Sequence, residues 1–123
     1  MSTRSLIGQE QADGTVSFIY CHFDGYLDGV GDTLRQHYGD RAKVSALIAL
    51  GDISSLGEEI GEKHSFEDRS RPKWTMAYGR DRGEGCVESK NVADRAAFWL
   101  EDHSTEYWYL YTKDGQWLAK SYE

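Results

Sequence analysis

An Asp-Gly pair stands near each end of the chain: Asp13-Gly14 separates the β-patterned runs 6–12 and 15–21, and Asp114-Gly115 separates 106–113 and 116–121. Asp-Gly readily takes the positive φ values of a two-residue hairpin turn, so a β-hairpin is expected at both ends. Across such turns Ile7 lies opposite Tyr20 and Gln9 opposite Phe18, which leaves Leu6, Ile19 and Cys21 on the other face. In the second hairpin Tyr107, Tyr109 and Tyr111 share one face, while Trp108 and Leu110 share the opposite face with Trp117 and Ala119. Both faces are partly apolar. One is expected to receive helices, and the other to present an aromatic surface or to be covered by a partner. Tyr107, Tyr109 and Tyr111 are the candidates for that interface, including one in a homodimer.

Helical periodicity fills the middle. Val30, Leu34 and Tyr38 recur every four residues and stop at Gly39; Val44, Leu47, Ile48 and Leu50 follow an Asp40 cap and stop at Gly51. A third helix is expected over about 91–102, with Val92, Ala96, Trp99 and Leu100 on one stripe and Asn91 or Ser89 as its cap. Between them, 73–78 alternates Trp74, Met76 and Tyr78, the pattern of a strand. The order ββααβαββ predicts an α+β fold, an antiparallel sheet of about five strands with three short helices packed on one face. At 123 residues, 39% apolar and 13% aromatic, the chain suits one folded domain spanning 1–123.

The net charge of −7 disfavours direct nucleic-acid binding and association with anionic membranes. No apolar run approaches the length of a membrane span, the N-terminal residues 1–8 pass into Gln9 and Glu10 without a signal-peptide core, and Cys21 and Cys86 have no C-x-x-C spacing. A cytoplasmic protein with reduced thiols is the expectation. The charge is segregated. Residues 52–68 hold Asp52, Glu58, Glu59, Glu62, Glu67 and Asp68 against Lys63, a net −5, whereas 69–82 hold Arg69, Arg71, Lys73, Arg80 and Arg82 against Asp81, a net +4. Either the two segments pair with each other, or the acidic one forms a surface for a basic partner.

Two polar clusters follow predicted strands. Tyr20-Cys21-His22-Phe23-Asp24-Gly25-Tyr26 enters a Gly-rich connection, and Tyr78-Gly79-Arg80-Asp81-Arg82-Gly83-Glu84-Gly85 reads as a Gly-punctuated loop. Adjacent Cys21 and His22 point to opposite sides of a strand, so they form no local nucleophile pair or metal site. Arg80 and Arg82 flanking Asp81 have the chemistry to clamp a phosphate or carboxylate, and with His22, Asp24 and Tyr26 they are the candidate ligand loops. No nucleotide, metal or triad motif occurs, and His37 fits a helix-end role while His64 lies in a charged loop. No catalytic residue, metal or cofactor is assigned.

Met1-Ser2-Thr3-Arg4-Ser5, Tyr20-Cys21-His22-x-Asp24-Gly25-Tyr26, Gly51-Asp52-x-Ser54-Ser55-Leu56-Gly57-Glu58 and Tyr78-Gly79-Arg80-Asp81-Arg82-Gly83-Glu84 together resemble a group of small proteins carried by bacteriophages and prophages. The resemblance implies an accessory protein acting on host machinery, the setting in which inhibitors of CRISPR–Cas and restriction systems are found. The expected function is non-enzymatic: binding and inhibiting a host protein, such as a nucleic-acid-binding defence protein, in the bacterial cytoplasm. The alternative is a small enzyme or anion- or nucleotide-binding protein using the His22/Asp24 and Arg80/Arg82 loops.

Overall fold

In the computed structural model, which describes residues 2–121, the first hairpin joins β1 (Ser5–Glu10) to β2 (Val16–Cys21), with Ser5 opposite Cys21 and Ile7 opposite Ile19. The expected register was one residue out. Gln11 N donates to Thr15 O at 2.7 Å, closing a loop of three residues rather than two, and Gly14 takes a left-handed φ of 90° inside it. That is a type I turn with a bulge glycine. The second hairpin, β6 (Tyr107–Tyr111) to β7 (Trp117–Ser121), repeats it through Thr112 N to Gln116 O at 2.8 Å, with Gly115 at φ 84°. A one-residue slip exchanges the faces. Trp117 and Ala119 therefore lie opposite Tyr111 and Tyr109, on the tyrosine face, and not with Trp108 and Leu110.

After β2 come a π-helical turn (Leu27–Gly31), α1 (Asp32–His37), α2 (Arg41–Ala49) and β3 (Ile53–Ser55); then β4 (Met76–Ala77), α3 (Tyr78–Arg82), β5 (Lys90–Val92) and α4 (Arg95–Leu100). The fold is α+β, but the sheet is mixed and larger than expected. Among the described residues seven strands form it: six run in the order β4-β3-β2-β1-β6-β7, and β5 also pairs with β2; β1–β6 and β2–β3 are parallel and the other pairs antiparallel. Strand β5 lies beside the start of β2, at Val16 to Phe18, and β3 beside its end, at Cys21.

Among the described residues there are four α-helices rather than three, and helices cover both faces. On one face Ile7, Ile19, Cys21, Tyr109 and Tyr111 pack against Val30, Leu34 and Tyr38 and against Val44, Leu47 and Ile48 of α2. On the other, Leu6, Val16, Phe18, Trp108 and Leu110 enclose Phe98 of α4. Covered on both sides and flanked by β2 and β6, β1 has all six residues buried. Gly8 is required there: a Cβ would stand 2.9 Å from the Phe98 ring.

Local signals explain the remaining departures. Residues 90–92 pair with β2 as a strand, so α4 starts later than expected, with Asp94 as its cap accepting from Ala97 N at 2.9 Å; neither Asn91 nor Ser89 caps it. The expected strand over 73–78 shrinks to Met76–Ala77, because Tyr78 begins a helical turn that ends at left-handed Gly83. Asp40 precedes α2 but makes no side-chain cap bond. Among the described residues no helix is long and apolar enough to cross a membrane.

Candidate functional site

In the second polar cluster Arg80 and Asp81 form a structural brace. All five N–H bonds of the Arg80 guanidinium are engaged: Nε and Nη2 donate to Asp81 at 2.8 and 3.1 Å, Nη2 also to Thr75 O at 2.7 Å, and Nη1 to Ile60 O and Gly61 O at 2.8 and 3.2 Å. Asp81 is buried and also accepts from Ala77 N and His64 N at 2.8 and 3.1 Å. Burial pushes its pKa up, but Arg80 and the two backbone N–H groups outweigh this and hold the carboxyl below its ordinary range. Arg82 is bonded to Glu84 and stacks over Phe66 and Tyr78, with its guanidinium 4.5 and 5.2 Å from the ring centres. Arg80 thus has its donors committed within the chain, whereas Arg82 spends Nε and Nη2 on Glu84 and its side chain is half exposed.

The acidic and basic segments lie side by side. Glu59 N donates to Lys73 O and Thr75 N to Glu59 O, both at 2.9 Å, and Glu58 stands 4.0 Å from Lys73 and 3.7 Å from His37. Asp68 folds back on Ser70, whose hydroxyl and N–H hold its carboxyl low, and Asp52 turns away into a cleft. Glu59, Glu62 and Glu67 remain exposed, interspersed with exposed Lys63, Arg69, Arg71 and Lys73. The tyrosine face is internal: Tyr109 and Tyr111 are buried, their hydroxyls donating to Gly25 O at 2.6 Å and Gly39 O at 2.8 Å, and only Tyr107 is partly open. Of the three rings expected as an aromatic interface, only Tyr107 therefore reaches the surface in part.

The first cluster forms the outward-facing feature. His22 N and Phe23 N continue the parallel pairing, donating to Ile53 O and Ser54 O at 3.1 and 3.0 Å; then Asp24 turns the chain in the left-handed region at φ 59°. Gly25 N donates to Thr3 O at 2.9 Å, Val30 N to Asp24 O at 2.8 Å, and the Tyr109 hydroxyl clamps Gly25 O from below. A Cβ on Gly25 would lie 2.8 Å from Thr3 O, which explains the glycine in Asp24-Gly25. The π-helical turn that follows is a rare conformation frequent at functional sites. On this fixed backbone Phe23, Tyr26 and Leu27 are 42, 39 and 49% exposed, three of the five exposed large apolar side chains among the described residues. Asp24 and Asp28 flank them. The Tyr26 hydroxyl donates to Asp24 at 3.1 Å, and that bond together with the two carboxylate charges raises the phenol's pKa. Neither Asp24 nor Asp28 is in a salt bridge with a described residue.

No family model matches the chain, and no curated protein and no solved structure matches it.

A second concave feature lies on the α4 face. A cleft of about 320 Å³ is lined by Leu6, Phe18, Tyr20, Asp52, Lys90 and His103. Asp52 reaches it from the turn before β3, with one carboxylate oxygen fixed by Tyr20 N at 3.0 Å. Burial raises its pKa against the opposing pull of Tyr20 N–H, Lys90 and His103. The Tyr20 hydroxyl is bonded to His22 Nδ1 at 2.8 Å, and the His22 ring meets Phe23 edge-on at 4.6 Å, linking cleft and loop. Tyr20 and Asp52 were visible as polar residues in sequence, but Lys90 and His103 carried no spacing signal. Among the described residues no three His, Cys, Asp or Glu side chains are grouped to hold a metal ion.

Proposed function

We propose that the protein is a non-enzymatic binding protein that docks through the 22–28 loop onto a basic surface of another protein. The observation that carries this reading is the exposure of Phe23, Tyr26 and Leu27 on one rigid, acid-flanked loop. Exposed aromatic and aliphatic side chains on a preorganised backbone are the makings of an interface core, because little conformational entropy is left to lose on binding. Asp24 and Asp28 at its rim, in no salt bridge with a described residue, complement Lys or Arg on the partner and speed encounter with it. The overall charge of −7 acts in the same direction. The resemblance to phage and prophage proteins makes a bacterial host protein the partner class, and a nucleic-acid-binding defence protein supplies the basic chemistry. Glu59, Glu62 and Glu67 form a second, more mixed surface that such a partner would reach only if its footprint were large.

The test is site-specific crosslinking in host cells with a photoreactive residue at Leu27, repeated with Phe23→Ala/Leu27→Ala and with Asp24→Lys/Asp28→Lys. One defined crosslinked protein, lost in the first double variant and weakened by salt and by the second, is the expected result. A partner bound equally by all three proteins but released by Glu59→Lys/Glu62→Lys/Glu67→Lys returns the interface to the acidic segment and overturns the proposal.

A further inference from the structure

The cleft on the α4 face presents both signs of charge without closing them on each other. Asp52 is in no salt bridge with a described residue; one of its oxygens accepts from Tyr20 N, and the other has no protein partner among the described residues. Lys90 is exposed on β5, and its ammonium likewise has no hydrogen-bonding or ionic partner among the described residues, although its charge acts on Asp52. Below them the floor is apolar: Leu6 is fully buried and Phe18 is 2% exposed. His103 closes the wall, its ring edge-on to Phe18 at 6.0 Å and its Nε2 3.1 Å from Glu101.

These parts come from β1, β2, the turn before β3, β5 and the segment after α4, so the fold and not a local motif assembles them. A carboxylate with one oxygen immobilised is a preorganised acceptor, ready for a protonated amine. A neighbouring unpaired ammonium is the matching group for a carboxylate. The apolar floor accepts a ring or branched chain. At about 320 Å³ the space is at the small end of ligand pockets. A ligand carrying both charges is also net neutral and approaches a −7 protein without long-range repulsion, which a nucleotide does not.

We propose that this cleft binds a small aromatic α-amino acid, its ammonium on Asp52, its carboxylate on Lys90 and its ring against Tyr20 and His103 above the Phe18 floor. The proposal does not depend on the docking loop. It is tested by titrating L-phenylalanine into the full chain and following backbone amide shifts. The Tyr20 amide is the key reporter, because it donates to Asp52. Two truncated ligands, 3-phenylpropionate without the amine and phenethylamine without the carboxylate, are titrated in parallel, and so is adenosine monophosphate.

The expected result is saturable shifts centred on Tyr20, Asp52, Lys90 and His103, with each truncated ligand at least about tenfold weaker, as a site built to pair polar groups rejects analogues that lack them. Asp52→Asn retains the acceptor for Tyr20 N–H while removing the charge, and Lys90→Met retains the aliphatic stem; each is expected to weaken binding about tenfold or more. Should Asp52→Asn fail to fold, Lys90→Met and the truncated ligands still decide. Absence of saturable shifts at millimolar phenylalanine overturns the proposal. So does equal binding of either truncated ligand, unchanged affinity in Lys90→Met, or binding of the nucleotide in place of the amino acid.

Discussion

Replacing Glu10 by Gln should remove about 2 kcal/mol of stability near neutral pH and almost none near pH 2. Glu10 ends β1 with its carboxylate buried against α4: Arg95 Nε and Nη2 donate to its two oxygens at 2.8 and 2.9 Å, and Lys113 N adds a third bond at 3.0 Å. The Arg95 hydrogen bonds are the largest influence; they prevail over desolvation and bring the pKa from 4.5 to about 2. At ~1.36 kcal/mol per pKa unit this difference sets an upper bound of roughly 3.4 kcal/mol. The Arg95 side chain is 39% exposed, and solvent screening there reduces the expected contribution to about 2 kcal/mol. A depressed folded-state pKa gives stability that is fully present above the unfolded value of 4.5 and is lost as pH falls towards about 2. At about pH 3 less than half of it should remain. Urea unfolding followed by tryptophan fluorescence, for wild type and Glu10→Gln at several pH values from about 7 to 3, reads the gap between the two curves. A gap that closes steadily below about pH 5 is expected, and one that stays constant down to about pH 3 would refute the ion-pair account.

Three further outcomes follow from the packing. Native protein should titrate with one thiol per chain in a chromogenic disulfide exchange assay and with two after denaturation, since Cys86 is exposed while Cys21 is buried with its pKa pushed up to about 12 by desolvation. Gly8→Ala should cost about 1–3 kcal/mol by overpacking against Phe98 and Val16, and the double variant with Phe98→Leu should recover part of that loss, which paired thermal melts would show. Tyr38→Phe should cost about 1–2 kcal/mol in urea unfolding, because the fully buried hydroxyl donates to Gly57 O at 2.8 Å and fixes the 57–75 crossing.

The stripes of the first two helices, the α+β class and the presence of two hairpins were legible because each rests on residues close in sequence; the third stripe was misplaced, since Phe98 enters the core while Ala96 and Leu100 are exposed. Turn length was not. Asp13-Gly14 marks a turn, but whether it spans two residues or three depends on which peptide closes the loop, and that single step moves Trp117 from one face to the other. The parallel pairing of β1 with β6 joins residues about 100 positions apart and leaves no local trace. Residues 90–92 carry an apolar residue that fits a helical stripe equally well, and pairing with β2 decides for strand. At the sites, Arg80 looked available because sequence does not show carbonyl groups, and carbonyls at 60, 61 and 75 consume three of its five donors. The cluster at Asp24-Gly25-Tyr26 stood out as the start of a Gly-rich connection, whereas the exposure of Phe23 and Leu27 reverses what their apolar character suggests.

Both faces of the sheet are filled by the chain's own helices, so surfaces for other molecules fall at strand ends, and β2 supplies two of them. Phe18 and Tyr20 point into the cleft, and His22, next along the same face, carries the contact onward to Phe23. The tests of the two sites can still be separated, because their anchors differ. The loop backbone is held by Thr3 O, Asp24 O and the Tyr109 hydroxyl, none of which Phe23→Ala or Leu27→Ala removes. The cleft is held by the Asp52 acceptor on Tyr20 N, which Asp52→Asn retains. If the His22 ring moves as a unit with Tyr20, Phe23→Ala will weaken amino-acid binding while Leu27→Ala will not. The Tyr20–His22 hydrogen bond and the His22–Phe23 ring contact are the path along which such coupling would run. Equal amino-acid affinity in both loop variants therefore makes the cleft and the docking loop independent sites built on one strand.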